Sequence, residues 1–144
     1  LGEGAAVFVF EDRARALGFD LVEVPLMEID KVDAAAIKAR AADAGMALCT
    51  STACAEGTDP TADDPAVRAA GLDYLKQCIK ATADMGATVF TGVTYSAIGR
   101  KITGRPTEAH WDHAAAVMRD AARYASEHVK PWRIAIRRGS WSRW

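Results

Sequence analysis

Between residues 18 and 127, short apolar runs alternate with longer helical patterns, and this alternation constrains the fold more than any single residue does. Residues 19–24 (FDLVEV), 46–50 (MALCT) and 88–93 (TVFTGV) read as strands, and residues 33–44, 65–85 and 108–127 as helices. Strands joined by helical connections of this length run parallel, with right-handed crossovers. The pattern therefore predicts an α/β fold built from successive βαβ units. In such sheets functional groups collect at the carboxyl ends of the strands. Here those ends are residues 25–30, 50–59 and 94–105.

Local signals mark the same boundaries. Asp33 and Asp64 are placed to cap helices, and Pro65 suits a first helical position. Gly45 and Gly86 fall just past two helix ends. Leu72, Leu75, Ile79 and Thr82 recur at helical spacing beside Cys78, and Trp111, Ala115, Met118, Ala122 and Ala125 form the expected apolar stripe of the last helix. In the first strand, Leu21 and Glu23 face one way and Val22 and Val24 the other.

Eighteen basic against nineteen acidic residues give a formal charge of −1, which provides no overall attraction to nucleic acid or anionic membrane. No apolar run approaches the roughly 20 residues that span a bilayer. Three cysteines, Cys49, Cys54 and Cys78, lack CxxC spacing and read as buried thiols of a cytoplasmic protein. A chain of 144 residues is also short of the roughly 200 or more that a complete (β/α)8 barrel takes.

Few side chains announce chemistry. His110 and His113, three apart on a helix, could join Asp112 or Glu108 around a metal, but no third strong ligand follows and ordinary histidines are expected. Asp59, Asp63 and Asp64 read as a solvated loop with one helix cap. Glu23 sits among apolar residues, facing either a polar interior or an exposed sheet edge. Thr50, Ser51, Thr52, Thr94, Tyr95 and Ser96 bring hydroxyls suited to a polyol to two strand ends. The chain ends break the pattern. Residues 5–10 (AAVFVF) resemble a strand with too short a connection behind it, while residues 129–144 hold five basic residues, no acidic ones and three of the four tryptophans. Interleaved cations and aromatics of that kind can contact phosphates and stack on bases, but they lack a structured platform here.

Three stretches carry a resemblance: 17–23 (LGFDLVE), 64–71 (DPAVRAAG) and 85–96 (MGATVFTGVTYS). In their order and spacing they resemble the ketose 3-epimerases (D-tagatose, D-psicose and L-ribulose 3-epimerases), within the xylose isomerase-like sugar isomerase/epimerase barrels. The resemblance implies strands two to four of a (β/α)8 barrel, an amino-terminal half at residues 1–128 followed by an atypical tail at 129–144. It also implies a divalent metal, Mn2+, Mg2+ or Co2+, held by two glutamates, an aspartate and a histidine, with the glutamates exchanging a proton at C3 through an enediolate.

All four ligands belong to later strands of the family, so no catalytic and no metal residue is carried onto this chain. The substrate side is carried over: Ser51 and Val93 as pocket residues, and Glu23 as the strand-two carboxylate. The expectation is a fragment of a ketose epimerase, inactive alone and binding no cofactor, whose family partner is a ketose and not nucleic acid or membrane. The alternative is a non-catalytic half-barrel that self-associates through open sheet edges or pairs with a separate C-terminal chain. In the tail, Trp141-Ser142-Arg143-Trp144 is what CTG-GTC-GAG-GTG-G, encoding Leu-Val-Glu-Val, yields when read one base later. A shifted frame is the expected origin of the tail.

Overall fold

The computed structural model describes residues 16–100 and 104–128, and the backbone of 133–134. The elements are β1 (Leu21–Pro25), α1 (Ala34–Ala44), β2 (Ala47–Cys54), α2 (Pro65–Asp84), β3 (Val89–Ala97), α3 (Glu108–His128) and β4 (Arg133–Ile134). Short 3-10 turns, Ile29–Lys31 and Glu56–Thr58, lead from β1 and β2 towards the helices. The sheet order is β1-β2-β3-β4 and every pairing is parallel. This is the expected α/β architecture, a partial barrel.

The caps form as the sequence indicates. Asp33 accepts from the Ala36 N–H at 3.0 Å, and Asp64 accepts from that of Ala66 at 2.8 Å. Gly45 ends α1 in the left-handed region at φ 64°, where a side chain would be strained.

The strands run further than their apolar stretches. β2 continues to Cys54 and β3 to Ala97, because threonines and cysteine fit a pleated surface whose hydroxyls find partners beneath the helices. Within the atypical tail expected at residues 129–144, Arg133 and Ile134 pair with Val89 and Phe90. Ladder bonds are made by the backbone, so a polar residue can join the sheet edge. The strand-like 5–10 segment and the rest of the tail lie outside the described residues.

The helices cover one sheet face. Val24, Ile37, Leu75, Ile79, Phe90 and Val117 share the core between the layers. In α3 the buried residues are Ala114, Val117, Ala121 and Ala125. The expected stripe is therefore displaced around the helix, sharing only Ala125 with the observed one, and Trp111 is 52% exposed. A large ring suggests burial, but the buried stripe of this helix is built from small residues. Small alanines let α3 lie close to α2.

Candidate functional site

The opposite face of the sheet is not covered by these helices. Alternation along β1 sends Val22 and Val24 to the core and leaves Glu23 exposed on the other side. Along β2, Thr50, Thr52 and Cys54 are buried towards the helices, and Cys49 and Ser51 lie on the face shared with Glu23. Register sets Ser51 beside Pro25 and Thr91, and Val93 beside Ala53. The three residues singled out from the sequence, Glu23, Ser51 and Val93, thus occupy one face.

Two of them touch. The Ser51 hydroxyl donates to Glu23 Oε1 at 2.8 Å. Cys49, the register partner of Glu23, has its thiol pushed up by burial and further by the Glu23 carboxylate. Thr91 donates its hydroxyl to the Thr50 carbonyl at 3.3 Å. The sequence marks Cys49 only as a buried thiol, and Thr91 does not stand out by residue type; alternation along β2 and β3 would have identified both as neighbours of Ser51.

The hydroxyl trio of β2 does not act together. Thr50 Oγ1 lies 2.7 Å from Thr82 Oγ1, and Thr82 donates to the Cys78 carbonyl at 2.7 Å. Thr52 reaches the Leu26 carbonyl at 3.3 Å and contacts the Tyr74 hydroxyl. Period-two geometry sends both threonines under the helices, so only Ser51 of the three can meet a ligand on the open face.

Gly92 shapes the far side. Its φ is 122°, and a Cβ there would lie 1.9 Å from the Thr52 carbonyl oxygen. Just beyond it the register jumps, from Ala53 opposite Val93 to Cys54 opposite Ala97. Thr94, Tyr95 and Ser96 form the resulting bulge, with Thr94 buried and Tyr95 39% exposed.

At the rim, Asp59 is not a solvated loop residue. It is 4% exposed and accepts from the Thr61 N–H and hydroxyl, the Ala97 N–H, and Arg100 Nη1 at 2.8 Å. Burial alone would raise its carboxyl, but those hydrogen bonds and the Arg100 charge outweigh it and hold the group below its ordinary value. A buried carboxylate requires such partners, and Arg100 is too distant in sequence for spacing to reveal it. His110 accepts the Thr107 N–H at Nδ1, 3.0 Å away, which makes it a cap of α3. His113 Nδ1 is buried with no hydrogen-bond partner.

Among the described residues no three His, Cys, Asp or Glu side chains are grouped to hold a metal ion. Asp59 and His110 are committed to Arg100, Thr61 and Thr107, so the described donors do not fit a divalent metal. No chemical step is routed through one. What the open face supplies is a carboxylate, two hydroxyls and an apolar wall.

A family described as xylose isomerase-like TIM barrel matches residues 12–136. The chain is 41% identical over 86 residues to a ketose 3-epimerase of Arthrobacter globiformis, covering 60% of this chain and 30% of that protein. It is 28% identical over 111 residues to an L-ribulose 3-epimerase of Mesorhizobium japonicum, covering 77% and 37%. A crystal structure of D-allulose 3-epimerase from Methylomonas sp. in complex with D-allulose superposes with a TM-score of 0.84 at 26% identity, over 92% of this chain and 45% of that one. A structure of L-ribulose 3-epimerase gives 0.74 at 28% identity, over 84% and 44%. The chain spans less than half the length of each of these relatives.

Proposed function

The chain belongs to the xylose isomerase-like TIM barrel family, and from that premise we propose that it is the substrate-side part of a metal-dependent ketose 3-epimerase. The observation that carries the reading is the 41% identity to the ketose 3-epimerase of Arthrobacter globiformis. In this reading residues 1–128 form the half-barrel and 129–144 an appended tail that lends Arg133 and Ile134 to the sheet edge. Glu23, Ser51 and Val93 line one wall of a ketose pocket. The metal and the two proton-transferring glutamates come from strands supplied by the remainder of the barrel, and this chain alone is inactive. The protein works in the cytoplasm on a free ketose, without nucleic acid or membrane.

The wall does simple chemistry. Ser51 and Glu23 hydrogen-bond sugar hydroxyls, while Val93 packs against the carbon skeleton. Orientation of this kind lowers the entropic cost of reaction at C3.

A second reading is a half-barrel that self-associates or pairs with a separate C-terminal chain. It is favoured by Leu17, Phe19 and Leu21, which are exposed beside the edge of β1 that has no neighbour among the described residues.

The test is complementation. The chain alone is assayed for C3 epimerisation of D-fructose, D-tagatose and L-ribulose, then again with Mn2+ and a separately expressed carboxyl-terminal half of the Arthrobacter globiformis relative. Activity only in the mixture is expected. Turnover by the chain alone, or an inactive mixture in which the halves demonstrably associate, would sink the proposal. Sedimentation of the chain alone tests the second reading, which expects a dimer.

A further inference from the structure

We propose that Glu23 is a positioning residue: its carboxylate holds the hydroxyl hydrogen of Ser51, so that Ser51 meets its ligand as a hydrogen-bond acceptor. This deepens, and rests on, the reading of the open face as a sugar wall. It divides the labour between two residues of that wall.

Register sets Glu23 level with Cys49, and Ser51 lies two residues further along β2. Two residues of strand rise about 6.6 Å. To reach Ser51 Oγ at 2.8 Å, the Glu23 side chain therefore leans along the sheet towards its carboxyl end. From there the carboxylate also lies near enough to Cys49 to raise its thiol, after burial. An ionised carboxylate can only accept, so the single hydroxyl hydrogen of Ser51 is spent on it. What Ser51 retains is lone pairs. Its backbone carbonyl is already taken by the Leu26 N–H at 2.7 Å.

Thr91, in register with Ser51, is in the same condition. Its hydrogen is committed to the Thr50 carbonyl, so it too turns lone pairs outward. The open face of β1, β2 and β3 carries Leu21, Glu23 and Pro25, then Cys49, Ser51 and Ala53, then Val89, Thr91 and Val93. None of these is a cation. A row of acceptors beside one carboxylate recognises a ligand through O–H groups that the ligand donates. It suits an uncharged polyol and opposes a phosphorylated one.

The experiment uses the isotopically labelled chain and its Glu23→Gln, Glu23→Leu and Ser51→Ala variants. Side-chain couplings report the Ser51 χ1 rotamer without any sugar. One rotamer is expected in the wild type and in Glu23→Gln, whose amide oxygen still accepts, with averaging in Glu23→Leu. An unchanged single rotamer in Glu23→Leu overturns the positioning role. D-Fructose is then titrated, following resonances of residues 49–53 and 91. Glu23→Leu and Ser51→Ala are each expected to weaken binding several-fold, while Glu23→Gln keeps most of it. D-Fructose 6-phosphate is expected to bind the wild type more weakly than D-fructose, with the gap narrowed in Glu23→Gln. Tighter binding of the phosphate overturns the acceptor wall. Absence of any sugar-induced shift in the wild type removes the sugar-wall reading itself, and the rotamer measurement decides the Glu23–Ser51 coupling separately.

Discussion

Arg100 Nη1 lies 2.8 Å from Asp59 Oδ2, and this pair ties the loop after β2 to the loop after β3. Both loops stand at the carboxyl end of the sheet. Arg100 also contacts the Thr61 hydroxyl, and its Nη2 lies 3.3 Å from His110 Nε2. His110 in turn caps α3. One buried carboxylate thereby organises the rim of the half-barrel.

Removing that carboxylate leaves a largely buried guanidinium unpaired. Asp59→Ala is expected to cost about 2–4 kcal/mol at neutral pH. The folded Asp59 group is held below its unfolded value, so its stabilisation is complete above the unfolded value and fades as pH falls through the folded one. Urea unfolding midpoints for wild type and variant should therefore converge below about pH 4. A gap that stays constant down to pH 2 would show that the Asp59 charge contributes nothing.

Gly92 tests the close approach of β2 and β3. Gly92→Ala puts a methyl group 1.9 Å from the Thr52 carbonyl oxygen, at a φ that L residues rarely adopt. The variant is expected to lose more than about 4 kcal/mol, or to fail to fold. Gly57→Ala, which meets nothing within 4 Å, should stay within about 0.5 kcal/mol of wild type. Equal thermal stability of the two variants would contradict the strand geometry described here.

The fold was largely legible because its signals are local. The Asp33 and Asp64 caps, the left-handed Gly45 and the alternation of Val22, Glu23 and Val24 each depend on near neighbours in sequence. Less legible were features set by distant partners. Asp59 looked solvated because Arg100 lies 41 residues away, and Thr50 and Thr52 looked like ligand hydroxyls because Thr82 and Tyr74 were not in view. Composition misled at Trp111, where a large ring suggested burial that small alanines provide instead.

Helices α2 and α3 supply a matched pair of substitutions, one in each. Leu75 is 1% exposed within the core cluster, and Leu75→Ala should cost about 2–5 kcal/mol. Trp111→Ala, at a site half open to solvent, should cost well under half as much. Calorimetric unfolding of both variants checks the order. A larger loss for Trp111→Ala would restore the stripe first expected from the sequence.

The three thiols report on both faces of the sheet and on the α2 helix that covers one of them. Burial raises Cys54 to about 12 and Cys78 to about 11, and Cys49 is raised by burial and then by Glu23. All three are free and buried, so the folded chain at pH 8 should react slowly with an aromatic disulfide reagent, and the urea-unfolded chain should react at all three. A thiol whose folded value is raised stabilises the fold below its unfolded value near 9.0, and that stabilisation is lost as pH climbs towards the folded value. Unfolding midpoints should thus fall progressively above pH 9. Cys49 carries the added signature of its neighbour. With Cys54 and Cys78 replaced by alanine, Glu23→Gln removes the adjacent negative charge and should speed the reaction of Cys49 several-fold at a fixed pH. A rate indifferent to Glu23→Gln in a folded chain would place the carboxylate away from Cys49, and with it away from the open-face site.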